Sequence, residues 1–483
     1  MAKKKRTAKA SVAKKARAKA SVSKSTRKAR VPRQKVEANS HPSATARRSV
    51  ATVRVYRQGL GDCILVTLPK QDGTDFRLMI DCGVAVATQD AADKMKDVLE
   101  DIVETVKDNK IDALAITHEH WDHVSGFQQA SDVFERLPVD EVWLAWTEDA
   151  NDELAKTLKK DHQKAFALLS RGAAVRAMSG DASGAGSLLN IAGMLGAAGE
   201  KTKAALDIVK RKVDGSKTRY LRPDVTEPIP VPGTGATIYV LGPPHDEKAI
   251  KHFNPSKRNP EVYELALDGT GLLAAGVYTA LAEPADVRPF ADSSSIPLEA
   301  ARSMPFFQHH YWGTPGDASE WRRIDSDWLG GTDEFAMMLQ SATNNTSLVL
   351  AIELQSGDVM LFAGDAQVGN WLSWQSLSWK HPDGRTVTGP DLLVRTVFYK
   401  VGHHGSHNAT LRQQGLELMK RLETAVIPVD EVVAKKMRWA AMPLAGLVKA
   451  LEDRTSGKTF RTDDEGLTAN VGPKPKLYLE FEV

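Results

Sequence analysis

The sequence predicts a layered α/β protein, and three observations carry that reading. Short apolar runs rich in β-branched residues recur from Ala51 onward, stretches of helical period fall between them, and several runs end on clusters of histidine and aspartate. At 42% hydrophobic and 26% charged residues, the 483-residue chain is globular in composition and long enough for a large core.

The first 48 residues stand apart. They hold 17 Lys+Arg and one acid, Glu37, a net charge of +16, whereas residues 49–483 carry 47 basic and 60 acidic side chains, a net of −13. Ala-Lys and Ser-Lys pairs recur from Lys3 to Lys35, and such a segment cannot bury a core, so residues 1–48 are expected to form a disordered cationic tail. Residues 49–483 are expected to form one domain. Its strands begin at Thr52–Tyr56, Cys63–Leu68 and, after the polar turn Gln71–Thr74, Arg77–Asp81. A helix over Ala91–Lys107, a strand at Ala113–Thr117, a helix near Gly126–Leu137 and a strand at Glu141–Trp146 continue the alternation. Residues 151–225, rich in Ala, Lys and Gly, read as a helical insertion, and about 245–340 as a second, irregular one. Between them lies a strand at Ala236–Leu241; after them come strands at Ser347–Leu354, Val359–Ala363, Thr396–Val401 and Ala425–Pro428.

Several classes are excluded. No apolar run approaches the ~18 residues of a membrane span. With only Cys63 and Cys82, a secreted disulfide framework is ruled out, which favours a reducing compartment and a cytoplasmic location. The N-terminus lacks the apolar stretch of a secretory signal, although its composition overlaps with that of organelle transit peptides.

The chemistry is concentrated in two windows that hold six of the 13 histidines, His118 to His123 and His403 to His407. Thr117-His-Glu-His-Trp-Asp-His123 follows a buried-strand pattern, so its side chains sit at a strand's carboxyl end. On an extended turn His118 and His120 project to one side and can share a cation, while Asp122 and His123 face a second cation beside it. Two such ions roughly 3.5–4 Å apart can share a hydroxide and clamp attacking and leaving oxygens. Asp365, which ends an apolar strand after Gly364, is the candidate bridging carboxylate. In Lys400-Val-Gly-His-His-Gly-Ser-His407, neighbouring side chains point opposite ways; His404 is assigned to metal and His403 to substrate or leaving group, with the two interchangeable. Ser406 and His407 are candidate substrate contacts.

Other histidines carry less. His162, His252 and His381 read as surface or core residues without partners nearby. His309-His310, within Phe306–Trp312, read as aromatic packing under an insertion. Cys82, beside Asp81, reads as a buried, unreactive thiol. Six of the ten tryptophans fall between Trp312 and Trp379; core packing is favoured for them, with base stacking the role of any that are exposed.

The ordered set Asp81-Cys-Gly83, Thr117-His-Glu-His-Trp-Asp-His123, Gly364-Asp365 and His403-His-Gly-Ser406 resembles the metallo-β-lactamase fold superfamily. Gly59-Leu-Gly-Asp62, Asn344-Asn-Thr-Ser-Leu348 and Arg461-Thr-Asp-Asp-Glu-Gly466 make the chain similar to the soluble hydrolase domain of ComEC-type competence proteins. The resemblance covers residues 51–148 and about 235–483. It implies an αββα sandwich, here with two insertions and a basic tail, and a dinuclear site, usually of two zinc ions, with manganese or iron as alternatives. His118 and His120 would bind the first metal, Asp122, His123 and His404 the second, and Asp365 both. Asp81 would orient ligands, and Ser406 would lie at the rim. The further histidine of many members is replaced by Thr147-Glu-Asp149, which leaves Glu148, Asp149 or His245 to complete the first metal. The membrane channel of competence proteins is absent, so DNA uptake is not implied.

The function expected is that of a metal-dependent hydrolase, a phosphodiesterase or nuclease in which a metal-bridging hydroxide attacks phosphorus and His403 or Asp122 handles the leaving-group proton. The tail would bind nucleic acid, and the substrate would be a phosphodiester or ester. The alternative is a small-molecule ester, thioester or lactam hydrolase whose tail only binds nucleic acid or an anionic surface.

Overall fold

The computed structural model describes residues 50–107, 109–178, 186, 189, 200–252, 255, 261–262, 296, 298–311, 339–437, 439, 442–467, 473–474 and 476–483. The expected tail, residues 1–48, lies outside them, as does much of the second insertion.

Seven strands form the first sheet: β1 (Thr52–Tyr56), β2 (Cys63–Pro69), β3 (Asp75–Cys82), β4 (Ile111–Ile116), β5 (Val139–Ala145), β6 (Thr218–Leu221) and, from the chain's end, β16 (Tyr478–Glu482). Their order is β16-β1-β2-β3-β4-β5-β6. The second sheet runs β15-β14-β13-β10-β9-β8-β7, built from β7 (Ile229–Val231), β8 (Ala236–Gly242), β9 (Val349–Glu353), β10 (Val359–Phe362), β13 (Thr396–Lys400), β14 (Thr424–Ile427) and β15 (Thr459–Arg461). A small hairpin, β11 (Ser378–Lys380) and β12 (Thr386–Thr388), stands apart.

Pairing follows from connection length. The turn at residues 70–74 lets β2 and β3 pair antiparallel, whereas β3, β4 and β5 are parallel and need helical crossovers. Those are α1 (Ala91–Val106) before β4, and α2 (Trp121–Gln129) with α3 (Ser131–Arg136) before β5. In α1, Met95, Val98, Leu99, Ile102 and Val106 recur at helical spacing and are all buried. Each such side chain contributes roughly 1.5–3 kcal/mol of burial.

Alternation along the strands sorts side chains into layers. Val53, Val55, Ile64, Val66 and Ile80 of the first sheet meet Ile238, Val240, Leu350, Ile352 and Phe362 of the second in one buried cluster. On the outer face of the first sheet, Leu65, Met79, Leu114 and Leu144 pack on α1 and α2. On the outer face of the second, Tyr239, Leu361 and Tyr399 pack on α9 (Val368–Ser373), α10 (Gly389–Val394), α11 (Glu431–Lys436) and α12 (Ala445–Thr455) through Trp371, Leu392, Val433 and Leu447. The layers are α, β, β, α, the expected sandwich.

The first insertion is partly structural. It opens with α4 (Glu153–Met178), but α5 (Glu200–Lys210) sends Ala205, Leu206 and Val209 into the helix layer over the first sheet, and β6 pairs with β5 as that sheet's edge. The described parts of the second insertion include α6 (Glu247–Ile250), α7 (Leu298–Ser303) and α8 (Pro305–Tyr311). Helix α8 buries none of its residues, so His309 and His310 do not pack under an insertion as expected; the aromatic rings of α8 meet one another along the helix. Trp371, Trp374 and Trp379 are core residues, while Trp312, Trp321 and Trp328 lie outside the described residues. Cys63 and Cys82 face each other across β2 and β3 as free, buried thiols. No described helix is long and apolar enough to cross a membrane.

Candidate metal centre

The carboxyl ends of β3, β4, β10, β13 and β14 point to one edge of the sandwich, where parallel strands leave their connecting loops. Each contributes. Asp81 comes from the end of β3, His118 to His123 from the turn after β4 into α2, Asp365 from the turn after β10, His404 from the turn after β13, and the Pro428 carbonyl that holds His404 from just beyond β14. Close backbone approach makes this convergence possible. A Cβ on Gly83 would lie 2.3 Å from the Asp122 carbonyl carbon, and Gly364, at φ +53°, has Thr117 and Ser347 where its side chain would be.

Two groups of donor atoms overlap at Asp365: His118, His120 and Asp365; then Asp122, His123, Asp365 and His404, all buried; a third, Asp62, Asp81 and His123, lies behind the His123 ring. His118 Nε2 and His120 Nδ1 face each other at 2.9 Å, the shared side expected of a His-x-His turn. Asp365 Oδ2 lies 3.9 Å from His118 Nε2, 3.3 Å from His123 Nε2 and 3.9 Å from His404 Nε2, so a single carboxylate oxygen belongs to both groups. His404 Nε2 is 3.1 Å from Asp122 Oδ2.

Outer partners aim these atoms inward. Asp81 accepts from Thr117 N at 2.7 Å and Thr117 Oγ1 at 2.6 Å, and its Oδ2 is 2.8 Å from His123 Nδ1. Because the Thr117 hydroxyl donates to Asp81, it can accept from His118 Nδ1–H, 3.0 Å away, which leaves Nε2 bare. His404 Nδ1 donates to Pro428 O at 2.7 Å with the same result. Asp81, His403 and His404 all take left-handed backbone angles, strain of the kind that collects at functional sites. Replacing Asp81 with asparagine should therefore weaken metal binding about 10–100-fold while the fold persists, measured by chelator competition; unchanged affinity would remove Asp81 from this role.

Burial and charge set the protonation states of the metal-free site. Burial pulls His120 down to about 3, and burial with neighbouring imidazoles holds His118 well below its ordinary range. Burial opposes ionisation of Asp122 and Asp365, yet His123 and His404 prevail, keeping Asp122 at about 2 and Asp365 well below normal. The same carboxylates overcome burial to raise His123 and His404. Cations need neutral imidazoles, so metal uptake must displace the protons these two hold. The sign follows: a raised pKa means protons compete below it, so apparent affinity should climb with pH, about tenfold per unit for each proton displaced. Titrating metal at about pH 6, 7 and 8, in buffers of different ionisation enthalpy, measures the proton count. A flat profile would contradict the assignment.

The donor set fits metal. His123 Nε2, 3.3 Å from the shared Asp365 oxygen, is buried without an aligned hydrogen-bond partner, a costly arrangement in a protein without a cation there. Imidazole and carboxylate ligands suit zinc, and equally manganese or iron.

The remaining expected residues fall differently. His403 lies outside these groups, whereas His404 lies within the second; the Nε2 of His403 accepts from Asn344 Nδ2 at 2.9 Å and its Nδ1 is 2.6 Å from Ser406 Oγ. Burial pulls it down to about 4. Ser406, expected at the rim, is buried and donates onward to Asn408 Oδ1 at 3.0 Å. His407 is half-buried beside His403. None of the proposed substitutes for the missing histidine reaches the first group: Glu148 binds Lys159 and Lys210, Asp149 accepts from Asn151 N, and His245 pairs with Asp152 at 2.9 Å. His162 and His381 do have partners, Glu119 and Asp383. Two buried residues to which the sequence assigned no role of their own, Asp62 and Lys400, pair with each other beneath the site.

Residues 56–135 match the model of the metallo-beta-lactamase superfamily. The matched segment holds Asp62, Asp81 and His118 to His123; Asp365 and His404 follow it and reach the same edge through the second sheet. No curated protein and no solved structure matches the chain. A metallo-beta-lactamase match implies a metal-dependent hydrolase, and the two His/Asp groups are able to hold the ions that such chemistry uses.

Proposed function

We propose that the chain is a phosphodiesterase, of the kind found as soluble hydrolase domains in ComEC-type proteins, acting on nucleic acid or a nucleotide. The observation that carries this reading is the single Asp365 oxygen shared by two donor groups, which suits a pair of zinc ions. His118, His120 and Asp365 would hold one ion, and Asp122, His123, His404 and Asp365 the other. Bound cations would activate water and offset the charge that develops on a phosphoryl group. The protein's own part is orientation. Asp81 and Pro428 fix the His123 and His404 rings, and three protein ligands on the first group leave positions open for water and substrate. Both His403 nitrogens are engaged, so Asp122 Oδ1, buried and unpartnered, is the atom placed to take and return a proton. His403, held by Asn344 on one nitrogen and by the buried Ser406 on the other, then faces the substrate, with the half-buried His407 beside it. Two unpaired cysteines and the lack of a spanning helix among the described residues fit a cytoplasmic location.

A substrate panel tests this. Metal-loaded protein should hydrolyse methyl p-nitrophenyl phosphate, cyclic nucleotides or nucleic acid in preference to a lactam or thioester; turnover of the latter alone would overturn the reading in favour of the alternative hydrolase. Removing residues 1–48, with their net charge of +16, should weaken cleavage of DNA or RNA steeply at low salt and leave the small phosphodiester unaffected. Equal loss on all substrates would deny the tail that role.

A further inference from the structure

Beside the metal centre lies a cavity of about 440 Å³ that the cluster of ligands does not use. It lies between the insertion helix α4, α6 and residues 339–346, and it shares two wall segments with the site. Glu119 sits between His118 and His120, while Thr343 adjoins Asn344, which bonds His403, and Thr346 adjoins Ser347, whose hydroxyl is 3.3 Å from His118 Nδ1. A volume of this size suits a small organic ligand.

Two polar atoms of its lining side chains lack partners, both just beneath the surface of the wall. Glu119 is only 7% exposed, and its Oε2 has no hydrogen-bond partner. His162 Nδ1 lies 3.8 Å from the other Glu119 oxygen, and its Nε2 is buried and likewise unpartnered. A buried carboxylate oxygen left bare is costly and calls for an N–H donor. Leu158, Ile250 and Leu339 supply apolar walls. The neighbouring Glu148 is already bound at 3.0 Å by both Lys159 and Lys210, so the demand for a donor is local to Glu119. An ammonium ligand would meet Lys159 and Lys251 in the same wall, which favours a neutral, flat N–H donor over a cation.

We propose that this cavity holds the base of a nucleotide, an amino-purine of the adenine type, a step that rests on the phosphodiesterase reading for its link to the reaction. The adenine edge sets an N6–H donor beside the N7 acceptor. With the Glu119 and His162 side chains turned toward the cavity, N6–H donates to Glu119 Oε2, N7 accepts from His162 Nε2–H, and the faces of the base lie against Leu158 and Leu339. The insertion helix α4 thereby acts as a specificity element, carrying His162 and Leu158 to the mouth of a superfamily site.

The test is adenosine binding by calorimetry, using the full chain with metal and again with chelator, so that no turnover is needed. Wild type should bind adenosine. N6,N6-dimethyladenosine, which lacks the N–H, should bind at least about tenfold more weakly. Leu158→Trp, which fills the cavity, and His162→Ala, a milder change, should each lose about tenfold or more in affinity, with melting temperature and metal content confirming that the variants fold. Absence of adenosine binding, equal binding of the dimethyl analogue, or undiminished binding by both folded variants would overturn the assignment. Wild-type turnover of methyl p-nitrophenyl phosphate, which has no base, reports separately on the phosphodiesterase reading. Its failure and that of the cavity are therefore distinguishable.

Discussion

Asp365→Ala should empty both metal positions and abolish turnover. One oxygen of this side chain stands 3.3 to 3.9 Å from ring nitrogens of His118, His123 and His404, and among the described residues no other belongs to both groups. Loss of a residue that only orients a ligand costs about 10–100-fold in metal affinity, and loss of a shared ligand should exceed the upper end of that range. The substitution also removes the main negative charge facing His123 and His404, so their raised pKa values should fall and the variant should release fewer protons on metal addition. Metal content after dialysis and phosphodiester turnover are the two readouts. Asp365→Asn serves as the isosteric control: it can still accept from His403 N, now at 3.1 Å, without offering a bridging charge. Two metals retained per chain with wild-type rates in Asp365→Ala would remove Asp365 from the centre of the site.

Much of this site was readable because its ligands come in local windows attached to strands. The apolar run before Thr117 predicts β4, and a His-x-His on the turn that follows must project to one side, which the structure shows at 2.9 Å between ring nitrogens. The same logic placed Asp365 beyond β10, whose four residues are all buried. What local pattern cannot show is the partner of a buried group. Asp62 stands in a glycine loop before β2 and Lys400 at the end of β13, in different sheets, so neither periodicity nor spacing ties them together. For the same reason His403 could not be told from His404: two consecutive left-handed residues break the alternation on which the distinction relied. The role of α4 was equally hidden, since an Ala- and Lys-rich helix announces its period but not the cavity it roofs.

The Asp62–Lys400 pair should be worth more to folding than any single ligand. Lys400 is 1% exposed, its Nζ pairs with Asp62 and donates to Gly364 O at 3.1 Å, and Asp365 Oδ1 is 3.9 Å away. Burial opposes its charge, but Asp62 and then Asp365 raise its pKa above the usual value, so it stays an ammonium. Lys400→Met keeps the volume and strands Asp62 without a counter-charge, at a cost of about 3–5 kcal/mol. Replacing both partners, Asp62→Leu with Lys400→Met, removes the charge and its countercharge together and should recover much of that loss, because an apolar pair of similar size avoids the desolvation penalty. Denaturant midpoints of the two single variants and the double variant close the cycle, and the expected coupling is favourable by more than about 1 kcal/mol. A double variant no more stable than Lys400→Met would mean that the pair is not a unit. The catalytic consequence has its own sign. Asp62 lies 3.8 Å from His123 Nδ1 and 4.0 Å from His404 Nδ1, so an uncompensated Asp62 would hold both imidazoles more firmly protonated. Any Lys400→Met protein that folds should therefore need a higher pH than wild type to take up its second metal, a shift the double variant should reverse.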